Sequence, residues 1–136
     1  MIKSDAQRAR TVAQIEGFRQ ALGKVELERP GKRSDAIRGS YEGMIRQLED
    51  ELREYDQLKA GKLVLPHVER VDQIAPFIAK IRIAKGVSQT ELASRLGVSK
   101  QVISRHEEND YQTVSIARLQ KILDAIGIKA VVTLRA

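Results

Sequence analysis

The chain has 136 residues, with 24 Lys and Arg against 18 Asp and Glu, and it contains no Cys and no Trp. The absence of Cys excludes a disulfide scaffold, a thiolate metal site and a cysteine nucleophile, and it fits a reducing compartment. The two histidines, His67 and His106, do not have the spacing of a metal-ligand pair, so we expect no metal and no cofactor. Because no long apolar run is present and the N-terminus is charged, we expect a soluble, cytoplasmic protein.

The net charge of +6 is concentrated in the second half of the chain. Residues 1–62 hold 13 cationic and 11 acidic side chains, whereas residues 63–136 hold 11 and seven. Six cations lie between Pro76 and His106, and Glu91 is the only acid among them. They are Lys80, Arg82, Lys85, Arg95, Lys100 and Arg105. This excess favours a polyanionic partner, and a basic surface without any partner is the alternative.

The first 62 residues predict an antiparallel helical hairpin that serves dimerisation or partner binding. Ser4 and Gln7 have the spacing of a capping box at the start of the first helix. Pro30 and Gly31 break the pattern, and Ser34 or Asp35 can cap the second helix. Apolar residues then recur at helical spacing along both segments. They are Ile15, Phe18, Leu22 and Val25 in the first, and Tyr41, Ile45, Leu48, Leu52 and Tyr55 in the second.

Residues 59–66 (KAGKLVLP) read as a linker, and residues 67–127 predict a second, helical domain. Its helices are expected from about Asp72 to Lys85, Gln89 to Leu96, Lys100 to Glu108 and Ile116 to Ile126. Serines provide the predicted N-caps and glycines the predicted ends. These are Ser88, Ser99 and Ser115, and Gly86, Gly97 and Gly127.

The last segment, residues 128–136, changes to an alternating pattern that is typical of a strand. A single strand needs a partner for its backbone groups, so we expect it to pair with the same strand of a second subunit. The residues of this dimer strand are Ala130, Val131, Val132, Thr133 and Leu134. The alternative is a frayed or docked tail.

Residues 86–107 (GVSQTELASRLGVSKQVISRHE) predict two short helices joined by a tight turn. The small Ala93 permits a close crossing of the helices, and Gly97 can adopt a positive φ at the turn. The outer face of the second helix then carries Lys100, Gln101, Ser104 and Arg105. Such side chains can reach base edges in the major groove of DNA.

This stretch resembles the Xre/Cro-type helix-turn-helix DNA-binding proteins. The similarity lies in Gln89, Leu92-Ala93, Leu96-Gly97-Val98-Ser99, Ile103-Ser104 and Glu107, followed by a helix with Leu119, Ile122, Leu123 and Ile126. The resemblance implies that Gln89 holds a DNA phosphate and that Lys100, Gln101 and Arg105 read bases, with Ser99 and Ser104 on the same surface. It also implies that Arg82 and Glu107 form a structural ion pair.

The sequence departs from the family pattern at two places. His106 stands where the family has an aliphatic or aromatic core residue, and we expect it to pack in a partly buried position. The common Glu-Asn-Gly turn after the second helix is replaced by Glu107-Glu108-Asn109-Asp110, which adds the acids Glu108 and Asp110. These two acids lie near the expected DNA face, where they can temper non-specific affinity.

The expected fold is therefore mainly α, with a helical hairpin, a four- to five-helix helix-turn-helix domain and a C-terminal strand paired across a dimer. We expect no enzymatic activity, because no phosphate-binding loop is present and Ser104 and His106 cannot face each other on one helix. The expected function is that of a dimeric transcriptional repressor that reads a palindromic operator in double-stranded DNA. Residues 119–134 (LQKILDAIGIKAVVTL) also resemble the end of Xre-type antitoxins, so the alternative is an antitoxin whose hairpin binds a toxin.

Overall fold

The computed structural model describes all residues, 1–136, and it is mainly helical. The helices are α1 (Asp5–Glu26), α2 (Lys32–Lys59), α3 (Ile78–Ala84), α4 (Gln89–Leu96), α5 (Lys100–Glu108) and α6 (Ile116–Ile126). Two short 3-10 turns, Val71–Gln73 and Ala75–Phe77, precede α3. The chain divides into two compact units, Met1–Asp56 and Gln57–Ala136. No helix combines the length and the apolar character that a transmembrane span needs.

The N-terminal unit is a pair of antiparallel helices. Near its open end the guanidinium of Arg8 donates to Asp56 at 2.7 and 3.0 Å, and nearer the turn the rings of Phe18 and Tyr41 lie 5.8 Å apart. Residues later in α1 thus contact residues earlier in α2, so the two helices run antiparallel. Ile15, Val25, Ile45 and Tyr55 are among the buried side chains of this unit.

Helix α2 begins at Lys32, before both residues that were predicted to cap it. Ser34 does not act as the cap, because its Oγ accepts from the backbone N–H of Gly31 at 2.9 Å. This bond is the backward half of a capping box, in which a residue inside the first turn satisfies the N–H of the capping position. The helix therefore starts directly after the Pro30-Gly31 break.

The helix predicted from Asp72 to Lys85 is shorter than expected. Only Ile78–Ala84 is α-helical, and residues before it form the two 3-10 turns. Pro76 lies in the first turn of the second one. Because Pro has no backbone N–H, it is tolerated at the start of a helix but cannot donate within a continuous one.

Helices α3 to α6 enclose the core of the C-terminal unit. Ile78, Leu92, Ile103 and Ile122 come from four different helices, and each has 0% exposure. Helix α4 packs against both α5 and α6, and α3 packs against α6. The core therefore fixes α5 by its inward face and leaves the opposite face free.

The predicted C-terminal strand is absent from this structure. Residues 129–136 form no ladder, and the last backbone hydrogen bond of the chain joins Ile128 N to Leu123 O at 3.0 Å. Val131, Val132 and Leu134 are exposed. The prediction was wrong for the single chain because alternation of side chains does not supply the neighbouring backbone that a strand requires.

Candidate DNA interface

Local sequence signals position the two helices of the candidate interface. At the start of α4, Ser88 Oγ accepts from the backbone N–H of Glu91 at 3.0 Å. At its end, Gly97 has a φ of 67°, and the next backbone N–H, that of Val98, donates to Ala93 O at 3.0 Å. This left-handed cap turns the chain sharply into α5. Ala93 is only 2% exposed, so its small side chain lies where the helices pack closely.

Helix α5 presents a polar face to solvent and an apolar face to the core. Lys100, Gln101 and Arg105 are exposed, whereas Ile103 has no exposed surface. Ser104 is half-buried at the edge of the polar face, and Ser99 is exposed at the N-cap position, where its side chain makes no capping bond. The structure thus brings Lys100, Gln101 and Arg105 together on one accessible helix.

The inward end of α5 is held by a buried ion pair. Arg82 on α3 donates to Glu107 through Nε at 2.7 Å and Nη2 at 2.6 Å, and their side chains are 3% and 0% exposed. The third guanidinium nitrogen, Nη1, donates to Val87 O at 2.8 Å. A bidentate pair in which each guanidinium nitrogen has an acceptor is the geometry in which burial of two charges is tolerated.

Two further donors complete the surroundings of the Glu107 carboxylate. Gln89 Nε2 donates to Oε1 and the Tyr111 hydroxyl donates to Oε2, each at 2.9 Å. One carboxylate therefore connects α3, the start of α4, the end of α5 and the loop after it. We call this set of four residues, Arg82, Gln89, Glu107 and Tyr111, the Glu107 network.

The structure places Gln89 differently from a residue that serves only as a phosphate contact. It is 7% exposed, and its amide nitrogen is bonded to the core through Glu107. An amide nitrogen carries two hydrogens, and the bond to Glu107 uses one of them. A contact from Gln89 to a phosphate thus remains a prediction that depends on the second hydrogen.

Tyr111, which closes the turn after α5, was not among the predicted site residues. Asp110 and Tyr111 have positive φ values of 53° and 57°, which non-glycine residues seldom adopt. Tyr111 is 1% exposed, and its burial and the neighbouring charge of Glu107 raise its pKa far above the ordinary value. No glycine marks this turn. Asp110 belongs to a residue type that tolerates a left-handed backbone, but Tyr111 carries no such signal.

His106 lies half-buried on α5, with its ring centroid 5.8 Å from that of Tyr111. Burial and the charge of Arg118 lower its pKa, which favours the neutral imidazole at neutral pH. Its surroundings are those of a packing residue. No group of three or more His, Asp or Glu residues is arranged to hold a metal ion.

Comparison with known families agrees with this geometry. Residues 78–132 match the family model described as helix-turn-helix, a segment that contains α3 to α6. This part of the chain is a helix-turn-helix domain, and the match supports a DNA-binding regulator in general. Comparisons with curated proteins and with solved structures found no match.

Proposed function

We propose that this protein is a sequence-specific transcriptional regulator that binds double-stranded DNA, and that it acts as a dimeric repressor. The observation that carries the proposal is the exposure of Lys100, Gln101 and Arg105 on the second helix of the helix-turn-helix. In this role α5 enters the major groove, while the buried face and the Glu107 network hold it at a fixed angle.

The chemistry of each exposed side chain suggests its role. Arg105 and Lys100 present donors that suit guanine O6 and N7, and Gln101 can form a bidentate pair with adenine. Ser99 and Ser104 can donate to phosphate or base oxygens at the same surface. Gln89 contributes a phosphate contact at the N-terminus of α4, where the helix dipole favours an anion.

A dimer would place two copies of α5 about one helical turn of DNA apart, so the operator is expected to be palindromic. The exposed apolar side chains of Val131, Val132 and Leu134 support a contact between subunits through the tail. The proposed site of action is the cytoplasmic nucleoid, and the proposed activity is binding without catalysis or cofactor.

Selection of bound duplexes from a random pool tests this function. We expect the wild-type chain to enrich one two-fold-symmetric sequence with at least one G in each half-site. An unselective pool after several rounds, with binding that salt abolishes, would contradict sequence-specific regulation and leave only charge attraction.

The second candidate function is that of an antitoxin, in which the N-terminal unit binds a toxin and the DNA-binding unit represses its own operon. It is favoured by an open groove of about 390 Å³ in that unit, which lies outside the matched segment. The lining includes Val12, Ala13 and Leu52, and Val12 is 45% exposed. A small reading frame next to the gene, whose product co-purifies with this chain and loses binding on Val12→Glu, would support this function. A chain that purifies alone as a homodimer, with no such neighbour, would contradict it.

A further inference from the structure

The turn of the N-terminal hairpin carries a cluster of exposed cations that the helix-turn-helix does not use. It consists of Lys24 at the end of α1, Arg29 in the connection, and Lys32 and Arg33 at the start of α2. We call these four residues the tip patch. All four are exposed.

Charge in this unit is separated along the hairpin. Residues 24–34 hold the four cations of the tip patch and two acids, Glu26 and Glu28. The rest of residues 1–56 holds seven cations and nine acids. A unit that is neutral as a whole thus has a positive tip and a negative body.

None of the tip cations is paired, whereas several cations on the body of the hairpin are. On the body of the hairpin, Arg8 pairs with Asp56, Arg19 with Glu49 and Arg53 with Asp50. No member of the tip patch forms an ion pair or a side-chain hydrogen bond, although three acids, Glu26, Glu28 and Asp35, lie within a few residues. An external anion can therefore approach these cations without breaking an existing pair.

The backbone beneath the patch is fixed. Ser34 is 5% exposed, and its Oγ accepts from Gly31 N at 2.9 Å. The same Oγ lies 2.9 Å from Gly31 O and 3.3 Å from Arg29 O, and its single hydrogen can be donated to one of them. Pro30 restricts its own φ to a narrow range. Because the turn is held before any ligand arrives, binding loses little backbone entropy there.

We infer that the tip patch binds the phosphate backbone of duplex DNA, as a sequence-independent contact in addition to that of the helix-turn-helix domain. The inference rests on the proposed function, because it takes duplex DNA as the protein's ligand. Lys and Arg are the side chains that neutralise DNA phosphates, and each neutralised phosphate releases counterions. Such contacts add affinity and orientation but carry no base preference.

The test uses the full chain and the salt dependence of binding to a long duplex. The tip variant is Arg29→Gln, Lys32→Gln and Arg33→Gln, which keeps Lys24 at the end of α1. The control is Arg10→Gln with Arg46→Gln, two exposed cations of the same unit that form no ion pair. We expect the slope of log K against log salt to become shallower by about 0.9 for each lost phosphate contact in the tip variant. The control is expected to keep the wild-type slope.

A wild-type slope in the folded tip variant would overturn the inference. Circular dichroism establishes folding. If the tip variant does not fold, the double variant Glu26→Gln with Glu28→Gln tests the inference instead. Removal of these two acids should raise the affinity for any duplex. Unchanged affinity would overturn the inference. The base preference of the wild type distinguishes failure of the tip contact from failure of the proposed function. If the wild type selects a sequence but the tip variant keeps the wild-type salt slope, only the tip contact is refuted. If the tip variant has a shallower salt slope but the wild type selects no sequence, only sequence-specific regulation is refuted.

Discussion

Glu107 shows how a single side chain can hold a surface helix in place. Each of its carboxylate oxygens accepts two hydrogen bonds, from Arg82 and Gln89 at one oxygen and from Arg82 and Tyr111 at the other. Since a buried charge is stable only when it is paired, removal of any donor destabilises the remaining members of the network. The network therefore links the stability of the domain to the orientation of α5.

Replacement of Glu107 by Gln should strongly destabilise the C-terminal unit. The substitution leaves the guanidinium of Arg82 buried without a counter-charge, and such a loss costs about 3 to 5 kcal/mol in free energy of unfolding. Urea unfolding measures this cost. The neighbouring exposed Glu108→Gln is the control and should shift the free energy by no more than about 0.5 kcal/mol. Equal effects of the two variants would show that the pair is not buried.

The buried hydroxyl of Tyr111 leads us to expect that the folded protein loses stability at alkaline pH. Its pKa is raised in the folded protein, so the unfolded chain releases the phenolic proton more readily. The contribution of Tyr111 is therefore fully present below pH 10, the ordinary pKa of Tyr, and decreases as the pH rises above it. Tyr111→Phe should remove this part of the decrease in a series of urea titrations between neutral and alkaline pH. Parallel pH profiles for wild type and variant would contradict the burial of the hydroxyl.

At the scale of single residues, the sequence predicts those positions whose burial or exposure follows from the helix on which they lie. The exposed positions Lys100, Gln101 and Arg105 follow from helical periodicity, because Ile103 must face the core. The role of Tyr111 could not be predicted. Its buried position depends on a left-handed backbone at two non-glycine residues and on a hydrogen bond to the Glu107 carboxylate in α5. Such positions are determined by tertiary contacts and leave no periodic signal.

At the scale of the helices, caps account for most of the agreement. Ser88 and Ser115 each accept a backbone N–H three residues later, and Gly97 and Gly127 adopt left-handed conformations after α4 and α6. These signals are local, so they can be recognised without knowing the fold. The start of α2 and the 3-10 turns before α3 were harder to predict, because several nearby residues can begin a helix and the outcome depends on packing.

Two glycine substitutions with opposite expected effects on stability test the role of glycine after a helix end and inside a helix. Gly97→Ala should destabilise the C-terminal unit by about 1 to 2 kcal/mol, because Ala is strained at a φ of 67° although no atom lies within 4 Å of the added Cβ. Gly17→Ala, at an exposed position inside α1, should stabilise the N-terminal unit by about 0.5 to 1 kcal/mol. Thermal and urea unfolding report both. Shifts of the same sign would refute the conformational argument.

At the scale of the whole molecule, the chain consists of two compact units with different surfaces. The unit with the helix-turn-helix carries an excess of positive charge, and the hairpin unit has none overall. The tail after α6 exposes apolar side chains without any backbone partner in the chain. A single sequence reveals the alternation of this tail, but alternation alone does not specify which surface, if any, the tail contacts.

Deletion of residues 130–136 should weaken dimerisation and leave the folded monomer intact. The tail makes no backbone hydrogen bond, so its loss removes apolar contact area without breaking the core. Sedimentation at micromolar concentration should show a shift from dimer toward monomer, with unchanged helical content by circular dichroism. An unaltered sedimentation profile would reject a role of the tail in dimer formation.

The central claim is that the exposed face of α5 reads DNA bases. Its most direct test compares the base preferences of the wild type and Arg105→Ala on duplexes selected from a random pool. We predict that the variant loses about 1 to 3 kcal/mol of discrimination at one base pair of each half-site and keeps its preferences elsewhere. An unchanged preference at every position of the operator would contradict the claim.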